Sequence, residues 1–136
     1  MRDYKKEYEE RVAFIRNLLE KSGAKGIVYG NSGGKDSALV GILCKAACDN
    51  TVGIIMPCAS KRNFGQDAED ARIAADQYGI ETRFIDLTPV REAEMQQLSS
   101  LTEVTPAAVV NIAPRLRMTT PVSYTHLRAH ETLMNL

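Results

Sequence analysis

The segment Gly30-Asn31-Ser32-Gly33-Gly34-Lys35-Asp36-Ser37 constrains this chain more than any other. It follows Gly26-Ile27-Val28-Tyr29-Gly30, a short β-branched run of strand length. It leads into Leu39, Val40, Ile42, Leu43 and Ala46, an apolar set with helical spacing. A strand, a glycine-rich turn and a helix in that order open a βαβ unit. Gly33 and Gly34 admit backbone angles and a closeness of approach that side chains would block. Amides entering the helix point at whatever occupies the turn, and the helix dipole makes that occupant an anion.

The rest of the chain repeats the unit. Tyr4, Tyr8, Val12, Ile15 and Leu19 mark one face of a helix from about Tyr4 to Lys21, closed by Ser22-Gly23. The helix after the turn runs from about Asp36 to Cys48 and is expected to be well buried. Thr51 to Met56 is continuously apolar, as in a strand covered on both faces. A polar loop, Cys58 to Gly65, precedes a third helix from about Gln66 to Tyr78. Asp67, Glu69 and Asp70 suit its first turn, and Ala68, Ala71, Ala75 and Tyr78 form its expected buried stripe. Thr82 to Leu87 reads as a strand, and about Val90 to Leu98 and Ala107 to Met118 as helices. The fold class is therefore α/β, a doubly wound, Rossmann-like parallel sheet with right-handed crossovers, truncated to about three strands.

Composition excludes several functions. Seventeen basic residues balance seventeen acidic ones, which argues against a nucleic-acid groove. No apolar run is long enough to cross a membrane, and no apolar leader follows Met1, so a cytoplasmic protein is expected. Cys44, Cys48 and Cys58 are odd in number and form no C-x-x-C pair, so reduced thiols are expected.

The turn is not the G-x-x-x-x-G-K-[ST] phosphate loop. Tyr29 replaces its first glycine and Asp36 its magnesium-binding hydroxyl. A carboxylate inside a phosphate cradle repels its ligand unless a divalent cation intervenes, so Asp36 is expected to bind Mg²⁺ that bridges to the phosphates. Ser32 and Ser37 add hydroxyl donors, and a pyrophosphate fits the whole. No Ser-His-Asp or Cys-His set is present, and no catalytic side chain is assigned.

Ser32-Gly33-Gly34-Lys35-Asp36-Ser37 resembles the S-G-G-x-D-S signature of ATP pyrophosphatases, whose fold is of the adenine-nucleotide alpha-hydrolase type. The resemblance makes residues 30–37 (Gly30, Asn31, Ser32, Gly33, Gly34, Lys35, Asp36 and Ser37) the ATP-binding set. Within that superfamily, Ile54-Ile55-Met56-Pro57, Asp67-Ala68-Glu69-Asp70-Ala71 and Tyr78-Gly79-Ile80-Glu81 resemble NAD synthetases. Asn111-Ile112-Ala113-Pro114-Arg115-Leu116-Arg117-Met118 looks like their N-x-x-x-R-x-R-M helix. The family's first arginine contacts deamido-NAD, which implies that role for Arg115. Arg117 lies roughly 200° round the helix, so the two cannot face one ligand equally. Pro114 is expected to start or kink that helix.

The family's activity implies ATP-dependent amidation of deamido-NAD, through an adenylate, with release of AMP and pyrophosphate. Ammonia is the expected nitrogen donor and a homodimer the expected assembly. Other members of the superfamily, tRNA-modifying or GMP synthetase-like, and a non-catalytic nucleotide-binding module are the alternatives. The resemblance stops after Thr120. Residues 121–136, which hold both histidines, read as a tail foreign to the family, and residues 1–120 as an N-terminal part of its domain that is inactive alone.

Overall fold

The computed structural model describes residues 1–60, 63–127 and 133–135. The chain opens with α1 (Tyr4–Ser22), then alternates β1 (Gly26–Gly30), α2 (Lys35–Ala47) and β2 (Thr51–Ile55). A π-helical turn, Asn63–Asp67, leads into α3 (Ala68–Gln77), β3 (Glu81–Phe84), α4 (Thr88–Ser99), α5 (Pro106–Leu127) and β4 (Leu133–Asn135). The sheet is parallel with the order β3-β2-β1-β4, so the three expected strands are joined by a fourth. Ile27 stands opposite Thr51, Val52 opposite Glu81, and Gly26 opposite Leu133.

Side-chain alternation sends Val28, Val52, Ile54 and Met56 to one face, where Ala113, Leu116 and Tyr124 of α5 pack on them. The other face carries Tyr29 against Ala75 and Ile80, and Ile55 against Ala68 and Ala71 of α3. Every residue of β2 is buried, as its unbroken apolar sequence requires. The chain steps outward from β1 through α2 and α3, then returns through α4 and α5 to the opposite side of β1. The order reverses between β1 and β4. The crevice at the carboxyl ends of strands flanking such a reversal is where doubly wound folds bind ligands.

Two close approaches set the position of α2. A Cβ on Gly41 of that helix would lie 2.6 Å from Cζ of Tyr29, and one on Gly53 of β2 would lie 3.0 Å from the same atom. Glycine at both places lets the buried Tyr29 ring fit between helix and strand. Helix α1 packs outside α2, where the Arg16 guanidinium donates to the Ala46 carbonyl at 3.2 Å.

The structure departs from the sequence reading in several places. Tyr78, expected in the buried stripe of α3, is 43% exposed, because α3 ends at Gln77 and Gly79 turns the chain at φ 65°. Leu39 and Val40 of α2 are exposed; Leu43 and Cys44 carry its buried face. Strand β3 is mostly exposed, having β2 on one side only. Its pairing nevertheless outlasts its regular segment, since Ile85 and Leu87 donate to the carbonyls of Ile55 and Pro57.

Pro114 does not start the last helix. That helix opens at Pro106 and contains both Pro114 and Pro121. Each proline lacks the N–H that would bond four residues back, at Val110 and Arg117. Packing of Ala113, Leu116 and Tyr124 on the sheet offsets the loss. Helix α5 passes Thr120 without a break and ends at Leu127, and residues 133–135 form β4. Cys44, Cys48 and Cys58 are free thiols. Among the described residues no helix is long and apolar enough to cross a membrane.

Candidate functional site

A cleft of about 530 Å³ opens at the carboxyl ends of β1 and β2. Its floor is the turn from Gly30 to Gly34. Ile55, Met56 and Pro57 continue β2 along one side, and Asp67, Ala68 and Asp70 come from the start of α3. Arg117 of α5 closes the opposite side. The volume lies within the range of small-molecule sites.

The turn is built from its own hydrogen bonds. Asn31 is only 3% exposed, and its amide nitrogen donates to the Ala71 carbonyl at 3.0 Å. Its side-chain oxygen accepts from the Gly33 N–H at 3.3 Å, and its backbone N–H extends the β1–β2 ladder to Ile54 at 2.8 Å. Asn31 thus braces the turn against β2 with its backbone and against α3 with its side chain.

The Ser37 hydroxyl donates to the Gly34 carbonyl at 3.1 Å and accepts from the Ser32 N–H at 3.2 Å. The two serine hydroxyls lie 3.0 Å apart, and the Gly34 N–H donates to Ser32 Oγ at 3.3 Å. All these contacts are satisfied together when Ser32 donates to Ser37. The turn is therefore a preformed ring of polar groups, and little ordering remains for a ligand to impose.

Gly33 and Gly34 play different parts. Gly33 has φ 85°, the left-handed region that favours glycine. A Cβ there would also strike the Asp67 carbonyl, with its carbon 3.1 Å away. Gly34 has φ −81° as the N-cap of α2, and a Cβ would meet only Ser32 Oγ at 3.4 Å.

Of the eight residues expected to form the ATP-binding set, Gly30 through Gly34 line the cleft. Lys35, Asp36 and Ser37 form the first turn of α2 just beyond it. Asp36 is exposed there. Among the described residues no group of three His, Cys, Asp or Glu side chains is arranged to hold a metal. Mg²⁺ usually keeps several waters and takes one or two carboxylates together with phosphate oxygens, so a lone carboxylate would hold it only with a bound phosphate.

The two arginines of α5 separate. Arg115 is exposed and lines no part of the cleft. Arg117 is half-buried, and its Nε donates to the Met56 carbonyl at 2.9 Å. The sequence reading missed Arg117 as a cleft residue, and it missed Asp67 and Asp70, taken there as charges suiting a helix start. The signal for the acidic pair is its spacing: residues three apart on a helix share a face, and Ala68 and Ala71 fix which face is buried.

Comparison with known proteins agrees with this geometry. The model of the NAD synthase family matches residues 7–134. The chain is 38% identical over 123 residues to the NH(3)-dependent NAD(+) synthetase of Finegoldia magna, covering 90% of this chain and 49% of that protein. It is 36% identical over 121 residues to the corresponding protein of Carboxydothermus hydrogenoformans, with 87% and 49% covered. The structure superposes on the NH3-dependent NAD synthetase of Campylobacter jejuni with a TM-score of 0.83 at 30% identity, over 98% of this chain and 56% of that one. An NMN synthetase of Francisella tularensis, 24% identical, shares the fold with a TM-score of 0.87 over 99% of this chain and 54% of that one. The chain spans about half the length of the curated relatives it matches. A family match over nearly the whole sequence, together with a preformed turn at the crevice of a doubly wound sheet, places the chain in the NAD synthase family.

Proposed function

We propose that the protein to which this sequence belongs converts deamido-NAD to NAD with ammonia and ATP. The observation that carries the reading is the place of the Gly30–Gly34 turn, which lines the cleft at the carboxyl end of β1 and runs into the N-terminus of α2, a cradle whose helix dipole suits pyrophosphate. The nicotinate carboxylate attacks the α-phosphorus of ATP, and pyrophosphate departs into that cradle. Ammonia then displaces AMP from the adenylate. The cradle works by positioning and by stabilising charge on the leaving group, and it requires no nucleophilic side chain.

Asp36 is the proposed ligand of Mg²⁺. When bound, that ion neutralises charge on the phosphate oxygens. The exposed Arg115 is the proposed contact for the dinucleotide, reached from outside the cleft. A homodimer in the cytoplasm completes the reading, and three free thiols suit a reducing compartment.

Calorimetry of Mg²⁺-ATP binding to this chain and to Asp36→Asn tests the metal assignment. The variant is expected to bind at least tenfold more weakly, the order of a lost charge-assisted contact, and to lose its dependence on Mg²⁺. Equal affinity in the two would remove Asp36 from the metal site. NAD formation itself is assayed in a chain of the relatives' full length.

A further inference from the structure

The glycine-rich turn rests on α3, and α3 begins in an unusual way. Asp67, its N-cap, makes no side-chain capping bond. The helix grows instead out of the π-helical turn Asn63–Asp67. Such turns are rare and gather at functional sites. Here the Asp67 carbonyl stands so close to Gly33 that no Cβ fits between them. The Ala71 carbonyl, one turn further on, receives the Asn31 side-chain amide at 3.0 Å. Where α3 begins therefore sets where the glycine-rich turn sits.

We propose that Phe84, at the end of β3, is a positioning residue for that turn, acting through Phe64 and the Asp67 carbonyl. The inference rests on the reaction proposed above, in which the turn receives pyrophosphate.

Phe84 stands opposite Ile55 in the sheet, so its side chain lies on the face covered by α3. Its ring meets that of Phe64 with 6.4 Å between centroids and 60° between planes, a tilted arrangement that aromatic pairs favour. The Arg72 guanidinium of α3 lies over the same ring, 5.2 Å from its centroid. The backbone beside the ring is fixed, since the Ile85 N–H donates to the Ile55 carbonyl at 3.0 Å. Phe84 thus ties the π-turn and α3 together to the edge of the sheet.

Two hydrogen bonds also shape the π-turn. The Phe64 N–H donates to the Ser60 carbonyl at 3.2 Å, and Gln66 Nε2 donates to Asp70 Oδ1 at 2.6 Å. Both join residues four apart, so neither attaches the turn to the sheet. Ala68 and Ala71 seat α3 on Ile55, but methyl groups resist a slide less than interlocked rings do. Phe64 and Phe84 are each nearly half exposed. Truncating either opens no closed cavity, so the fold persists and the effect falls on the turn.

Calorimetry of pyrophosphate and ATP, each with Mg²⁺, is run on this chain, Phe84→Ala, Phe64→Ala, the double variant and Phe84→Tyr. Phe14→Ala on α1 is the control for a lost exposed ring. Each single alanine variant is expected to weaken both ligands about two- to tenfold, the worth of one aromatic pair. The double variant loses no more than the larger single, because the same contact is broken in all three. Phe84→Tyr restores the affinity. NMR of the ligand-free protein adds a local reading. Exchange of the Gly33 amide and of the Asn31 side-chain amide quickens by about the same factor in both alanine variants, while backbone amides of β1 and β2 keep their rates.

Unchanged Gly33 exchange in Phe64→Ala, which alters no residue of β3, overturns the assignment even where Phe84→Ala has loosened the strand. A double variant whose loss is the product of the two singles overturns it as well, since the rings then act separately. If the unaltered chain binds neither pyrophosphate nor ATP, the reaction proposed above falls, and the exchange rates alone judge Phe84.

Discussion

The two long walls of the cleft face each other but are specified differently. The β1 wall is coded locally. Its strand, turn and helix are contiguous from Gly26 to Ala47, and most of the bonds shaping the turn join residues five or fewer apart. The α5 wall is coded by tertiary contacts. Arg117 is placed by a bond to Met56, which is 61 residues distant, and by packing of Ala113, Leu116 and Tyr124 on the sheet. A locally coded wall tolerates little change in its own sequence. A tertiary wall tolerates two prolines inside one helix, provided its apolar contacts hold.

The contrast is sharpest at Gly33. Alanine there must adopt φ 85° and push the Asp67 carbonyl away. The left-handed backbone costs about 1–2 kcal/mol and the overpacking a further 1–3. Urea unfolding of Gly33→Ala is expected to show a loss of about 2–5 kcal/mol, with nucleotide binding abolished. Gly34→Ala, with ordinary φ and space around it, should lose less than about 1 kcal/mol, the scale of a poorer N-cap. Equal losses at both positions would mean that the turn does not rest on Asp67.

A milder effect is expected behind the turn. Alanine at Gly41 gains helix propensity of about 1 kcal/mol but drives a methyl into Tyr29, whose ring is 2% exposed and has nowhere to go. Overpacking of about 1–3 kcal/mol outweighs that gain in most of its range, so a net loss near 1 kcal/mol is expected by thermal melting. A stabilised Gly41→Ala would show that α2 can slide on the sheet, and the β1 wall would then be less rigid than its hydrogen bonds imply.

These glycines also show what the sequence could tell. Ser32-Gly33-Gly34-Lys35-Asp36-Ser37 announces a glycine-rich turn at a helix start because strand, turn and helix signals coincide within one short stretch. It does not distinguish Gly33 from Gly34, since the difference lies in the approach of Asp67 from another element. Gly41 and Gly53 look unremarkable until Tyr29 is seen between them. Asp67 and Asp70 read as helix-start charges because only the packed position of α3 turns them toward the cleft. The exposed edge of β3 and the pairing of β4 with β1 depend on strand order, which periodicity does not encode. Arg117 was the harder case: its spacing from Arg115 separates the two residues, but nothing local says which one faces inward.

Two buried thiols provide the finest comparison of the walls. Cys44, on the buried face of α2, is pushed up to about 11 by burial and then by neighbouring Cys48. Cys58 sits where β2 meets α5. Burial raises it too, while the guanidinium groups of Arg117 and Arg91 pull it back and Asp86 opposes them. A cation favours the thiolate, so removing one must raise the thiol's pKa. In Arg117→Met the alkylation midpoint of Cys58 is therefore expected to move to higher pH, while that of Cys44 stays near 11. Iodoacetamide labelling of the folded protein across the alkaline range, followed by peptide mass spectrometry, reads each cysteine separately. Both midpoints moving together would indicate general loosening of the sheet. A stationary Cys58 would mean that the Arg117 charge lies farther from the end of β2 than its bond to Met56 places it.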